Sequence, residues 1–212
     1  IYEVDPIRDG KSFTTRNVIA RQGGIAIFST SISFHIEEPG LSHQVEALQV
    51  PPPEELESDF DRWSRLAKEN PGVIEPPLVH PIERKHVRPR DYLNPQPQEP
   101  QQQIWFRALG DLGDDLTRHQ TLLAFISDFG LLGSALLPHP YTGMNTDMQA
   151  ASRDHALWCN QPFKADDYLL YCLDSPIAAG ARGFSRGSFY TRDGILVAST
   201  AQESLQRIRT PN

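Results

Sequence analysis

A seven-residue segment near the start of the chain recurs near its end, and this repeat limits the folds that the chain can adopt. Residues 24–30 and 194–200 are identical at four of seven positions, at an offset of 170. The two copies follow the turn signals Gly23-Gly24 and Asp193-Gly194, and each turn joins two runs that are typical of β-strands. The repeat therefore predicts two β-hairpins of common origin.

Two further correspondences bear on this repeat. At the same offset Arg16 corresponds to Arg186, which favours duplication over a chance match. Gln202 stands where the first copy has Ile32. A polar residue on a strand is usually exposed to solvent, but a Gln in place of a repeat-related Ile is a candidate functional residue.

Proline content divides the chain into three regions, residues 1–36, 37–103 and 104–212. The middle region holds 12 of the 18 prolines, which predicts a long linker between two structural units. One helix is predicted within it, near Ser58–Glu69, because Ser58 can cap it and its apolar residues fall on one face. The first region reads as strands alone.

The third region predicts a single long helix packed on an antiparallel sheet, which is an α+β layer arrangement. Its helix is expected over residues 117–137, with a capping box at Thr117–Gln120 and an end at Pro138. A strand is expected at Ile104–Ala108. Further strands are expected near residues 152–160, 167–175, 180–191 and 195–208.

Composition and motifs exclude several classes of protein. The 27 acidic and 20 basic side chains give a net charge of −7 without a basic cluster, which argues against nucleic-acid binding. Two cysteines do not form a disulfide framework and favour a reducing compartment. No apolar run reaches the ~20 residues of a membrane span. Metal-binding and nucleotide-binding motifs are absent from the sequence, so neither a metal nor another cofactor is expected.

Three residues are candidates for chemistry. Asp128 falls on the apolar face of the predicted helix, where an unpaired carboxylate costs several kcal/mol and so needs partners or a function. Gln202 is a candidate through the repeat, and Ser152, at a strand start, is a weaker one. Residues 183–187 match the G-x-S-x-G pattern, but no helix or later histidine follows, which argues against a serine hydrolase.

Asp154 and His155 could form an acid–base pair. Neighbouring residues of a strand point to opposite faces, however, and this argues against their acting together.

Five stretches together resemble the acyl-CoA thioesterase II family, which has a double hot-dog fold. Residues 104–207 are similar to its second half, and residues 1–36 are similar to the last strands of its first hot-dog unit. The stretches that carry the resemblance of the second half are His119–Phe129, Ala135–His139, Asp154–Trp158, Ala181–Phe184 and Asp193–Glu203. The resemblance implies a complete second unit and an incomplete first unit that lacks the family's N-terminal stretch.

The resemblance also implies an activity, the hydrolysis of fatty acyl-CoA thioesters to free acid and CoA. The family holds a water with an Asp, a Ser or Thr, and a Gln, and by motif position these are Asp128, Ser152 and Gln202. No metal is implied, because a thiolate is a good leaving group. The alternatives are a non-catalytic acyl-CoA-binding hot-dog protein and an inactive fragment.

Substrate binding is expected to involve both charged and apolar residues. CoA is an anion and the chain is acidic, so a local positive patch is needed, for which Arg182 and Arg186 are candidates. Phe125, Phe129 and Leu132 are candidates for an acyl tunnel. The chain is expected to form a homodimer or higher homo-oligomer. An intracellular location is expected, cytoplasmic rather than peroxisomal, because the chain has no C-terminal S-K-L signal.

Overall fold

The computed structural model describes residues 1–209, which form two compact units, Ile1–His43 and a second unit that begins at Gln44. This division differs from the expected three regions, because most of the proline-rich region belongs to the second unit. Within residues 1–209 no helix is long and apolar enough to cross a membrane.

The first unit is a three-stranded antiparallel sheet in the order β1-β2-β3, and residues 1–43 contain no helix. Its strands are β1 (Tyr2–Asp9), β2 (Phe13–Gln22) and β3 (Ile25–His35). The tight β2–β3 turn needs positive φ angles at Gly23 and Gly24, which are 57° and 82°.

The second unit is built around a sheet of seven strands. Six are hydrogen-bonded in the order β4-β5-β8-β9-β10-β6, and β7 also pairs with β10. The helices are α1 (Asp59–Glu69), α2 (Leu116–Ile126) and α3 (Leu131–Leu136). The strands are β4 (Ile82–His86), β5 (Gln101–Ala108), β6 (Met148–Ser152), β7 (Ala156–Cys159), β8 (Leu169–Ala179), β9 (Arg182–Thr191) and β10 (Leu196–Ile208).

Both predicted hairpins are present, and they share a β-bulge at the same repeat position. Ile27 of β3 and Val197 of β10 are each the extra residue between two paired neighbours. Five residues after the bulge stand Ile32 and Gln202, so their correspondence is confirmed.

The correspondence of Arg16 with Arg186 is wrong by one residue. Arg16 pairs with Ile32, whereas the partner of Gln202 is Ser185. The second hairpin has a turn one residue longer than the first, which shifts β9 against the sequence alignment.

The single long helix predicted over residues 117–137 is also wrong. The helical segment breaks at Ser127–Gly130 because Gly130 has a φ of 90°, which ends one helix and starts the next. Gly130 also packs against the sheet, where a Cβ would lie 3.3 Å from Ile104 Cδ1. The cap of α2 is Asp115, whose side chain accepts from the Thr117 N–H at 3.0 Å, and not the predicted capping box.

The sheet of the second unit buries apolar side chains on both faces, by the two-residue alternation of a strand. On the helix side, Ile104 and Phe106 of β5 pack with Tyr171 and with the buried residues of α2 and α3. On the other side, Trp105 packs with Leu170.

The proline-rich segment after residue 44 covers part of that second face. Ala47, Val50 and Leu56 pack against the cluster around Trp105. The Trp105 indole donates to the Pro51 carbonyl at 3.0 Å, and Lys85 Nζ donates to that of Pro53 at 2.9 Å. The predicted helix of this region is confirmed as α1, capped by Ser58.

The two glycines of the G-x-S-x-G pattern have structural roles on β9. At Gly183 a Cβ would lie 2.5 Å from Ala135 Cβ of α3, and at Gly187 it would overlap the Tyr171 ring. Tyr171 is fully buried and stacks on Phe189 with ring centroids 3.7 Å apart. These glycines therefore let the helix and the core ring approach the sheet.

The substitution Gly187→Ala is expected to lower the free energy of unfolding by about 1–3 kcal/mol, because the added methyl displaces the Tyr171 ring from a full core. Urea unfolding followed by tryptophan fluorescence measures this loss. Gly143→Ala is the control, since a Cβ there meets no atom within 4 Å, and its effect should stay within about 0.5 kcal/mol. Equal stability of the two variants would contradict the packing argument.

Candidate active site

Asp128 lies in the turn between α2 and α3, not within a helix as the sequence predicted. The turn is held from the core by Tyr171, whose hydroxyl donates to the Ser127 carbonyl at 2.8 Å and also contacts Thr200 Oγ1 at 2.7 Å. Burial raises the pKa of Tyr171, so the hydroxyl stays protonated as a donor. The buried turn residue Ser127 thus fixes the backbone beside an exposed carboxylate.

The structure brings the three predicted catalytic residues together from three elements. Gln202 of β10 is 2% exposed, and its Nε2 donates to Asp128 Oδ1. Ser152, at the end of β6, donates from its hydroxyl to the same oxygen at 3.3 Å. Both hydrogen bonds end on Oδ1, so among residues 1–209 the carboxylate oxygen Oδ2 is without a side-chain donor. This arrangement leaves one oxygen of a fixed carboxylate open for a ligand.

A break in the edge of the sheet places Ser152 and His155 beside Gln202. The strands β6 and β7 both pair with β10, and residues 153–155 between them interrupt the ladder. The Asp154 carboxylate accepts from the Glu203 N–H at 2.7 Å, in the place of a ladder carbonyl. The loop can therefore leave the strand path without leaving this amide unpaired.

His155 joins the site, although the sequence argument set it aside as part of an acid–base pair. Its Nδ1 lies 3.3 Å from Gln202 Nε2, and its Nε2 lies 2.7 Å from Ser127 Oγ. Asp154 and His155 do have different partners, as the strand argument predicted, but they lie in the break and not on a strand. Partial desolvation of the ring lowers the pKa of His155, against the opposing charges of Asp128 and Asp154.

One buried acceptor of the site has no partner in the described part of the chain. Gln202 Oε1 is inaccessible and unpaired within residues 1–209, and so is Ser185 Oγ on the neighbouring strand. Gln202 and Ser185 are cross-strand partners, so their side chains emerge on the same face of the sheet. An unpaired buried acceptor costs free energy unless a ligand or water donates to it.

The two arginines predicted to contact substrate do not join this cluster. Arg182 pairs with Glu203 at 3.3 Å, and Arg186 pairs with Asp174 at 2.5 Å. Both alternate along β9 with Gly183 and Ser185, which face α3 and the Gln202 side. The arginine side chains therefore emerge on the opposite face of the sheet, and a role in substrate binding stays a prediction.

The predicted acyl-binding aromatic residues Phe125 and Phe129 are close to Asp128 in the sequence, three residues before it and one residue after it. The rings of Phe125 and Phe129 meet edge to face at 5.2 Å, and His80 stacks on Phe125 at 6.1 Å. Phe125 is 53% exposed and Phe129 packs against the core, while Leu132 is half-buried on α3. His80 also lines a cavity of about 310 Å³ between α1 and β4. These rings therefore form an apolar surface on the β4–β5 side of the turn, whereas the Asp128 carboxylate contacts β10 and β6.

Sequence reasoning missed Ser127 and Tyr171 as supports of the site and gave His155 no role in it. Ser127 precedes Asp128 directly, and His155 follows Ser152 by three residues, so proximity in sequence to two candidates was the available signal. Nothing in the sequence pattern indicates Tyr171, since a tyrosine on an apolar strand reads as a core residue.

Comparison with known proteins identifies relatives of the whole chain. The profile of the family described as acyl-CoA thioesterase matches residues 79–205. The chain is 38% identical over 219 residues to acyl-coenzyme A thioesterase 8 of Homo sapiens, an alignment that covers 99% of this chain and 68% of that protein.

Solved structures agree with this relationship. An acyl-CoA thioesterase II of Mycobacterium marinum superposes with a TM-score of 0.79 at 38% identity, over 99% of this chain and 74% of that one. A hot-dog protein of Alicyclobacillus acidocaldarius superposes with a TM-score of 0.72 at 16% identity, over 99% and 73% of the two chains. The predicted α+β hot-dog fold is thereby confirmed.

We expect Tyr171→Phe to lower the free energy of unfolding by about 1–3 kcal/mol, because it leaves the buried Ser127 carbonyl and Thr200 hydroxyl without this partner. It should also speed amide hydrogen exchange at Phe129, in the turn. Tyr168→Phe is the matched control, since it removes a 2.6 Å hydrogen bond to Glu83 on the other face of the sheet. If both variants speed exchange at Phe129 equally, Tyr171 has no specific role in the turn.

Proposed function

The chain belongs to the acyl-CoA thioesterase family of thioester hydrolases, and we propose that it hydrolyses fatty acyl-CoA with a water held at Asp128, Ser152 and Gln202. The observation that carries this assignment is the convergence of Ser152 and Gln202 on one oxygen of the Asp128 carboxylate.

The reaction is a general-base hydrolysis. A water donates one proton to Asp128 Oδ2 while its oxygen attacks the thioester carbonyl carbon. The tetrahedral intermediate then collapses, the C–S bond breaks, and CoA leaves as a thiolate that takes the proton from Asp128 Oδ2, which restores the base. Because a thiol has a pKa of about 8.5, the thiolate leaves readily at neutral pH, and no metal is required for this step.

The neighbours of Asp128 orient its carboxylate. Two donors on Oδ1 fix the plane of the group and leave Oδ2 as the oxygen that can accept a proton. Gln202 therefore acts on the water through Asp128. The water is held at Oδ2, which has no side-chain donor within residues 1–209, and this gives it a defined direction of attack.

Substrate binding is proposed for the apolar surface beside the turn. Phe125 and Phe129 form this surface on the β4–β5 side of the turn, and a role for Leu132 of α3 stays a prediction. For the CoA part, Arg182 and Arg186 stay predictions that their placement does not support. The homo-oligomeric state and the intracellular location also stay predictions.

Asp128→Asn is expected to reduce the release of free thiol from palmitoyl-CoA by at least ~100-fold, the scale for loss of a general base. Asp193→Asn, an exposed carboxylate of the β9–β10 turn, is the control and should keep wild-type rates. Thermal unfolding should show both variants folded.

Three results would count against this assignment in different ways. Undiminished turnover by Asp128→Asn would mean that another group is the base. Equal losses in both variants would point to a general effect on the enzyme. If the wild-type chain binds palmitoyl-CoA without cleaving it, the chain is an acyl-CoA-binding protein.

Gln202→Ile gives the second hairpin the isoleucine that the first hairpin has at Ile32, and it removes the donor to Asp128. We expect kcat to fall about 10–100-fold, because a hydrogen bond to a charged group contributes about 1.5–3 kcal/mol. Gln206→Ile is the matched control on the same strand, where the amide donates to the Leu132 carbonyl at 3.2 Å. This control should keep kcat, and a similar loss there would assign the effect to packing.

A further inference from the structure

We propose that His155 is a positioning residue of this site, which in its neutral form fixes the orientation of the Gln202 amide and thereby the carboxylate of Asp128. The proposal rests on the function proposed above and adds a residue to it. It follows from the donors and acceptors along one chain of hydrogen bonds that ends on Asp128.

The first part of this chain determines the tautomer of His155. Ser127 is fully buried, and its hydroxyl donates to the Ala124 carbonyl at 2.9 Å. A hydroxyl has one proton, so Ser127 Oγ can only accept from His155 Nε2, which lies 2.7 Å away. His155 therefore carries a proton on Nε2. In the neutral ring Nδ1 is then an acceptor.

The second part determines the orientation of the Gln202 amide. The amide nitrogen has two protons and no acceptor capacity. One proton goes to Asp128 Oδ1 and the other to His155 Nδ1, at 3.3 Å. Asp128 Oδ1 and His155 Nδ1, the two neighbours of Gln202 Nε2, are both acceptors. The amide therefore cannot rotate by half a turn without placing its oxygen against the Asp128 carboxylate. This orientation keeps both amide protons of Gln202 on acceptors, Asp128 Oδ1 and His155 Nδ1.

Protonation of His155 would break this arrangement. The imidazolium carries a proton on Nδ1, which would then face the N–H of Gln202. The amide would have to turn its oxygen to His155, and Asp128 would lose a donor on Oδ1. The neutral form is therefore the working form, and activity should be lost as the pH falls through the pKa of His155.

The charged groups around His155 decide where this loss occurs. Asp128 faces it from the turn and Asp154 precedes it in the loop, and both favour the imidazolium. Arg153 of the same loop is paired with Glu203 of β10 at 2.9 Å, so these two charges balance each other. Desolvation of the ring is the larger effect, and it keeps the pKa of His155 below its ordinary value, so the ring is neutral at neutral pH.

The test compares three single variants by steady-state hydrolysis of palmitoyl-CoA across an acidic to neutral pH range, with a thiol reagent that reacts at acidic pH. His155→Ala removes the acceptor and should lower kcat about 10–100-fold with little change in KM. His155→Asn offers a carbonyl oxygen near the position of Nδ1 and does not titrate. It should recover most of kcat and move the acid limb of the kcat profile to lower pH. His139→Asn, an exposed histidine after α3, should match the wild type.

The tautomer is tested separately on the wild-type protein without substrate. Nitrogen-15 chemical shifts of the His155 ring at neutral pH should report a proton on Nε2 and none on Nδ1. A proton on Nδ1 would overturn the proposal, whatever the kinetics.

Kinetic outcomes divide between the two proposals. If His155→Asn is as impaired as His155→Ala, or keeps the wild-type acid limb, His155 does not position Gln202. Wild-type activity in His155→Ala has the same meaning. If Asp128→Asn keeps full activity, the proposed function itself fails, and the nitrogen-15 measurement still decides the state of His155.

Discussion

The hydroxyl of Tyr171, donating to the carbonyl of Ser127, connects the packed core to the reactive edge of this protein. It lies at the centre of the helix side of the sheet, in a space that exists because Gly187 has no side chain. The carbonyl that it holds belongs to the turn that presents Asp128. A fully buried hydrogen bond is costly to leave unmade, so the position of the turn is set by the same contacts that stabilise the sheet.

Three separate chain segments have to be in register before the site exists. Asp128 depends on the break between α2 and α3, Gln202 on the register of β10, and Ser152 with His155 on the interrupted edge of β6 and β7. Two of the segments supply a feature that is unfavourable alone, a buried amide and a loop that leaves the ladder, and the third supplies an exposed carboxylate. Together they satisfy one another, apart from Asp128 Oδ2 and the buried Gln202 Oε1, which have no side-chain donor within residues 1–209. The turn at Asp128 and the break between β6 and β7 therefore meet at the proposed site of the water.

The sequence predicted β5, β8, β9, β10 and the repeat, because strand alternation and turn residues are local signals. It missed β4 and predicted one strand near residues 152–160 where β6 and β7 are separate. The common role of Asp128, Ser152 and Gln202 came from the family resemblance. Sequence reasoning failed where a tertiary contact overrides a local pattern. Helical periodicity continues through Gly130, and only the sheet beneath it and the positive φ show that the helix ends. The proline-rich region read as a linker, since nothing local indicates that the carbonyls of Pro51 and Pro53 accept from side chains of the sheet. Sequence reasoning assigned His155 no role because it was assumed to lie on a continuous strand. The strand is interrupted there, since the Asp154 carboxylate takes the place of a backbone carbonyl and accepts from the Glu203 N–H.

The two hairpins show what separates a structural copy from a functional one. They keep the same bulge, so Ile32 and Gln202 occupy the same place in their strands. Their cross-strand partners differ as well: Ile32 faces Arg16, whereas Gln202 faces the small, buried Ser185. A long arginine beside position 32 would occupy the space that the amide needs, and its charge would attract a carboxylate away from that amide. Placing a glutamine at position 32 would therefore not reproduce the site, because the one-residue shift of β9 against β10 is what puts a small residue beside Gln202.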